Sequence, residues 1–92
     1  MSDNNSGRDV TIRYFAWVRE KTGRSEERLT LPTSVNTVRD LMLWQQGRGD
    51  AFAAAFAHPD TIRSALDRIH VKADAQIGAA REIGFFPPVT GG

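Results

Sequence analysis

Between Val10 and Phe86 the apolar residues change period along the chain, and each change marks an element. Val10, Ile12, Tyr14, Ala16 and Val18 alternate with Thr11, Arg13, Phe15, Trp17 and Arg19, the pattern of a half-buried strand. Phe15 and Trp17 then fall on the face expected to meet water. Residues 20–26, with Gly23, read as a hairpin connection. Leu29 and Leu31 flank Thr30 in a second strand that Pro32 stops. From Ser34 the period becomes helical: Val35, Val38, Leu41 and Met42 share a face, Ser34 or Asn36 is available as N-cap, and Arg39 and Asp40 point outward. Gly47 and Gly49 close that helix. Asp50 caps a short second helix carrying Phe52 and Phe56 four residues apart, and Pro59 ends it.

The second half of the chain is extended again. Residues 61–68 are ambiguous, with Ile62 and Leu66 fitting either a helical turn or a loop anchor. Ile69 and Val71 alternate with His70 and Lys72 in a third strand. Ile77 reads as a plug in a loop. Ile83 and Phe85 oppose Gly84 and Phe86 in the last strand, which Pro87 terminates because it has no N–H to donate. The order β, β, α, short α, β, β predicts an α+β domain. It implies a mixed sheet of four or five strands, with one main helix on one face and a short second helix beside it. The ubiquitin-like β-grasp is the most economical fold with that order. Residues 1–9 are polar and small and read as a disordered arm, residues 10–86 as the domain, and residues 87–92 as an extended tail.

Composition narrows the chemistry. Ninety-two residues make one domain with a modest core. A net charge of +1 gives no electrostatic case for nucleic acid. With no cysteine, a disulfide framework, a thiolate metal site and a cysteine nucleophile are all excluded. No apolar run reaches the ~20 residues of a membrane span. The first residues lack the basic start and apolar middle of a signal peptide, so a cytoplasmic protein is expected. His58 and His70 have no partner at metal-ligand spacing. Glu26-Glu27 reads as a solvated pair, and Arg48-Gly49-Asp50 as a turn between helices. No internal stretch resembles an active site.

The tail is different. Residues 87–92 can reach about 20 Å beyond the sheet. Pro87 and Pro88 hold their end extended, while Gly91 and Gly92 carry no Cβ to obstruct a narrow channel. Such a tail can thread a terminal carboxylate into another protein's active site. Once adenylated, that carboxylate can become a thiocarboxylate or form an isopeptide bond, and composition does not separate the two uses. A frayed end with no role is the plain alternative. Phe15, Trp17 and Phe86 bear on this choice. In a β-grasp the first and last strands are neighbours, so the three would form an apolar patch at the tail's root, suited to a protein interface.

Phe15–Glu20 (FAWVRE) and Glu82–Gly92 (EIGFFPPVTGG) resemble the opening and closing motifs of the molybdopterin synthase small subunit, the MoaD family of sulfur carriers. The resemblance extends over residues 10–92, through Gly23, Pro32 and the TVRDL run at Thr37–Leu41. It implies a β-grasp whose Gly92 carboxylate is adenylated by an E1-like activating enzyme using ATP and converted to thiocarboxylate with a sulfur donor system. It also implies insertion of Gly91 and Gly92 into a large subunit that holds the pterin substrate. This chain would bind no cofactor or metal and would be inert alone. Two small and two large subunits would form a heterotetramer. Phe15 and Phe86 match the family's interface aromatics, with Pro87, Pro88, Val89 and Thr90 in the inserted segment; Trp17 is added from strand alternation only. Conjugation to lysines through Gly92, or sulfur delivery to another pathway such as thiamine synthesis, are the alternatives. The chain departs from the family at Ala65-Leu66-Asp67, where Ala-Val-Asn is frequent, and at Ala80-Arg81-Glu82, where Gly-Asp-Glu is frequent. Both departures fall at turns, where they bear on loop geometry and polar partner contacts.

Overall fold

The computed structural model describes residues 7–88. Five strands form one mixed sheet in the order β2-β1-β5-β3-β4. They are β1 (Arg8–Tyr14), β2 (Glu26–Leu31), β3 (Arg63–Leu66), β4 (Ile69–Val71) and β5 (Glu82–Phe86). β1 and β5 are parallel; the other pairings are antiparallel. Three helices, α1 (Ala16–Thr22), α2 (Val38–Gln46) and α3 (Asp50–Ala55), complete the domain, with a 3-10 turn at Pro59–Thr61.

The core follows the two periodicities. Val10, Ile12 and Tyr14 from β1 and Ile83 and Phe85 from β5 meet Val38, Leu41 and Met42 from α2, and all are buried. Helix α3 adds Phe52, and Phe56 follows directly after it. Phe56 meets Phe85 edge-on, with ring centroids 5.1 Å apart, a favoured aromatic geometry. Ile77 is buried as the expected loop plug.

The chain leaves the first strand earlier than its alternation suggests. β1 ends at Tyr14, Phe15 becomes an N-cap, and residues 16–22 form α1. Ala16 takes a left-handed φ of 53°, which turns the backbone out of the sheet. Val18 and Thr22, four residues apart, are the buried positions of α1; that spacing is helical and competes with period two. Gly23 closes the helix at φ 76°, its N–H donating to the Arg19 carbonyl, a left-handed cap that glycine adopts without a Cβ clash. β1 and β2 therefore pair as expected, but a helix rather than a loop joins them.

Other boundaries also move. β1 begins at Arg8, so Arg8 and Asp9 belong to the sheet and not to an arm; residues 1–6 lie outside the described region. Thr37, rather than Ser34 or Asn36, caps α2 through a capping box. Its hydroxyl accepts from the Asp40 N–H, and Asp40 accepts from the Thr37 N–H, each at 3.0 Å. The Ala73 and Ala75 carbonyls accept from the N–H groups of Arg39 and Val38, satisfying donors that a helix start leaves free. Gly49, not Asp50, stands at the N-cap of α3. The ambiguous stretch after Thr61 is strand β3.

Candidate docking face and tail root

Two of the three sequence-selected aromatics come together. Tyr14 pairs with Phe85 at the end of the β1–β5 ladder, and the Phe15 N–H donates to the Phe85 carbonyl at 3.0 Å. This places Phe15 beside the last residue of β5. The Phe15 and Phe86 rings meet edge-on at 6.4 Å. Phe15 is 46% exposed and Phe86 half-buried, so the pair presents apolar surface without belonging to the core. Gly84 lies beneath it: a Cβ there would stand 3.4 Å from Phe15 Cε2. The missing side chain gives the ring room to lie on the sheet.

Trp17 does not join them as a strand neighbour. It sits on α1, half-buried against the core, with Lys21 Nζ 5.6 Å from its ring centroid. The alternation argument fails here because the strand has already ended. His70, to which the sequence assigned no site role, completes the patch in its place. Its ring lies 5.0 Å from Phe86. The missed signal is β3: once it intervenes between β4 and β5, His70 is brought onto the Phe86 side.

β5 has hydrogen-bonded neighbours on both sides. Pro87 follows at once, and both prolines are half-buried. The tail therefore leaves from the middle of the sheet, beside the aromatic pair. Val89, Thr90, Gly91 and Gly92 lie outside the described residues.

The departure at Asp67 has a clear structural role. Asp67 and Arg68 have φ of 48° and 72° in the tight β3–β4 connection, a conformation that Asp tolerates much as Asn does. The Asp67 carboxylate accepts from the N–H groups of Arg81 and Glu82, each at 3.0 Å. It thereby pins the start of β5 to the turn. In Ala80-Arg81-Glu82, the Arg81 carbonyl accepts from the Thr11 N–H and Glu82 meets Arg13 at 3.1 Å.

Behind the site lies a polar cluster that sequence reasoning missed. Glu27 is not a solvated acid, since its side chain is only 10% exposed. It takes two hydrogen bonds from Arg48, at 2.6 and 3.0 Å, and one from the Tyr14 hydroxyl at 2.7 Å. Gln45 donates to Tyr14 and accepts from Arg48. Burial works to raise the Glu27 carboxyl, but hydrogen bonds from Arg48 and Tyr14 and the Arg48 charge hold it below the usual range. Burial pushes the Tyr14 hydroxyl up, as does its bond to Glu27, so it stays protonated. The cluster ties β1 and β2 to α2 and to Arg48 after it. It is structural. Among the described residues, no group of three or more His, Cys, Asp or Glu side chains is placed to hold a metal ion, and no helix is long and apolar enough to cross a membrane.

Comparison with known proteins bears on the fold and the family. A protein of Pyrococcus furiosus named "Putative molybdopterin converting factor, subunit 1" is 27% identical, with a TM-score of 0.70 over 90% of this chain and 100% of that one. SAMP1 of Haloferax volcanii is 22% identical, with a TM-score of 0.65 over 91% of this chain and 99% of its own. The HVO 2177 protein of the same organism is 19% identical, with a TM-score of 0.74 over 100% of this chain and 92% of its own. No match was found among curated proteins. These likenesses establish the ubiquitin-like β-grasp fold. Residues 12–92 match the ThiS family, a span that takes in Phe15, Phe86 and the C-terminal residues. The chain belongs to the ThiS/MoaD family of ubiquitin-like sulfur carriers.

Proposed function

We propose that this chain is the sulfur-carrying subunit of a molybdopterin synthase, with Gly92 as its working residue. An E1-like enzyme joins the Gly92 carboxylate to AMP from ATP, releasing pyrophosphate. A sulfur donor then displaces AMP and leaves a thiocarboxylate. The tail enters the large subunit, where the sulfur attacks cyclic pyranopterin monophosphate on the way to the dithiolene. In this reading the protein assembles as two small and two large subunits, and the pterin is held by the large one. The chain itself supplies the sulfur and a docking face.

The observation that carries the reading is the placement of the Phe15–Phe86 pair, Phe15 exposed and Phe86 half-buried, at the root of the tail. An apolar anchor there fixes where the partner sits, and two prolines stiffen the path from anchor to tip. The likeness to the Pyrococcus furiosus protein supports the molybdopterin assignment. Intact mass after co-expression with the activating enzyme and a sulfur source tests it. The expected result is the gain of one sulfur for one oxygen, absent when Gly92 is deleted, and conversion of the pterin precursor once the large subunit is added. Lysine-linked adducts without that gain would favour a protein modifier. Sulfur loading without pterin conversion would favour another pathway.

A further inference from the structure

We infer that the protein docking on this face presents a carboxylate, from an Asp or Glu side chain, to Arg63, His70 and Lys72. This rests on the docking reading above and adds the chemistry of the partner. The β3–β5 register sets Arg63 across from Phe86 and Ala65 across from Gly84. The β3–β4 register sets Ala65 across from His70 and Ser64 across from Val71, so Lys72 follows opposite Arg63. Directly paired residues share a face of the sheet. Phe86, Arg63 and Lys72 therefore form one row, and Gly84, Ala65 and His70 the next, with the Phe15 ring above Gly84.

At the outer end of these rows a shallow cleft of about 330 Å³ is lined by Arg63, Ser64, His70, Val71 and Lys72. Arg63, His70 and Lys72 are exposed. The acids farther along the same sheet face are already engaged: Glu82 meets Arg13 at 3.1 Å and Arg68 at 4.0 Å, and Glu26 meets Arg13 at 3.5 Å. Among the described residues, neither Arg63 nor Lys72 forms an ion pair. Among the described residues, the apolar anchor is thus bordered on one side by two cations without an acidic partner. A purely apolar partner would have to desolvate them without return, whereas a carboxylate offsets that cost and steers the approach. His70 has a ring N–H to donate in either tautomer.

Affinity of the full chain for the synthase large subunit, measured over a range of salt concentrations, tests this. Changing Arg63→Glu together with Lys72→Glu should raise Kd by at least about tenfold at low salt and flatten its salt dependence. The milder pair Arg63→Gln and Lys72→Gln should shift it in the same direction by less. Arg28→Glu, on the same face but on β2 at the far edge of the sheet from β4, should leave it unchanged. If both charge-altered pairs bind as before while Phe86→Ala binds more weakly, the face docks but takes no carboxylate, and the inference falls alone. If Phe86→Ala also binds as before, the docking reading falls and takes the inference with it.

Discussion

The Arg48 guanidinium lies over the Phe52 ring, 4.1 Å from its centroid, and closes on Glu27 with two hydrogen bonds. Removing it strips both guanidinium hydrogen bonds from a carboxylate whose side chain is only 10% exposed and leaves it the more distant Arg24, at 3.6 Å, as its cation. Arg48→Ala should therefore cost about 2–4 kcal/mol of stability in urea unfolding, near the range for a broken buried pair. The same pair sets an acid limit. The folded Glu27 carboxyl is held below its ordinary value of 4.5, so its contribution is fully present above that pH. The contribution is lost as the pH falls through the folded value. Asp40 adds in the same direction, since the Thr37 and Asn36 N–H groups hold its carboxyl down. Unfolding midpoints measured from pH 7 to pH 3 should fall, and Glu27→Gln should begin lower at pH 7 and fall less steeply. None of this was legible from residue types. A Glu-Glu step in a strand and an arginine between two glycines look solvated until β1 and the end of α2 bring them together.

At the level of elements, the β3–β4 turn and the start of β5 are held by one side chain. Asp67→Ala should destabilise the domain by about 1–3 kcal/mol, through two lost hydrogen bonds to a carboxylate and a left-handed φ. Asp67→Asn, which keeps an acceptor and tolerates that φ, should cost less than about 1 kcal/mol. Thermal unfolding of the two variants separates them. Elements with one dominant period were readable from sequence: β2, α2 and β5 are found where Leu29 with Leu31, Val38 with Leu41, and Ile83 with Phe85 placed them. The misses arose where two periods overlapped or the run was short. Residues 16–22 satisfy both strand and helix spacing, and tertiary burial of Val18 and Thr22 decides for helix. β3 has four residues, too few to show a period, and becomes a strand by pairing with β5 and β4 on either side.

For the whole molecule, fold and docking face can be separated experimentally. Phe86 lies outside the buried cluster, so Phe86→Ala should leave the unfolding curve nearly unchanged. Affinity for the large subunit should nonetheless fall by about 1–4 kcal/mol, the range for an interface anchor. Calorimetric titration beside circular dichroism checks both halves of the statement. The mixed sheet and the Phe15–Phe86 pair were legible in the chain because both follow from local alternation plus one adjacency, β1 beside β5. His70 was not, because its place depends on β3.

That central position of β5 also has a mechanical meaning. A strand pulled by its end, in line with hydrogen-bonded neighbours on both sides, loads two ladders in shear rather than peeling one open bond by bond. β1 runs alongside in the same direction over Thr11 to Tyr14, and β3 grips the other side from Leu66 to Arg63. Tension applied through Pro87 therefore meets the sheet where it resists best. On the proposed function, a partner that grips the tail can tug on it during loading or release while the domain behind it stays folded.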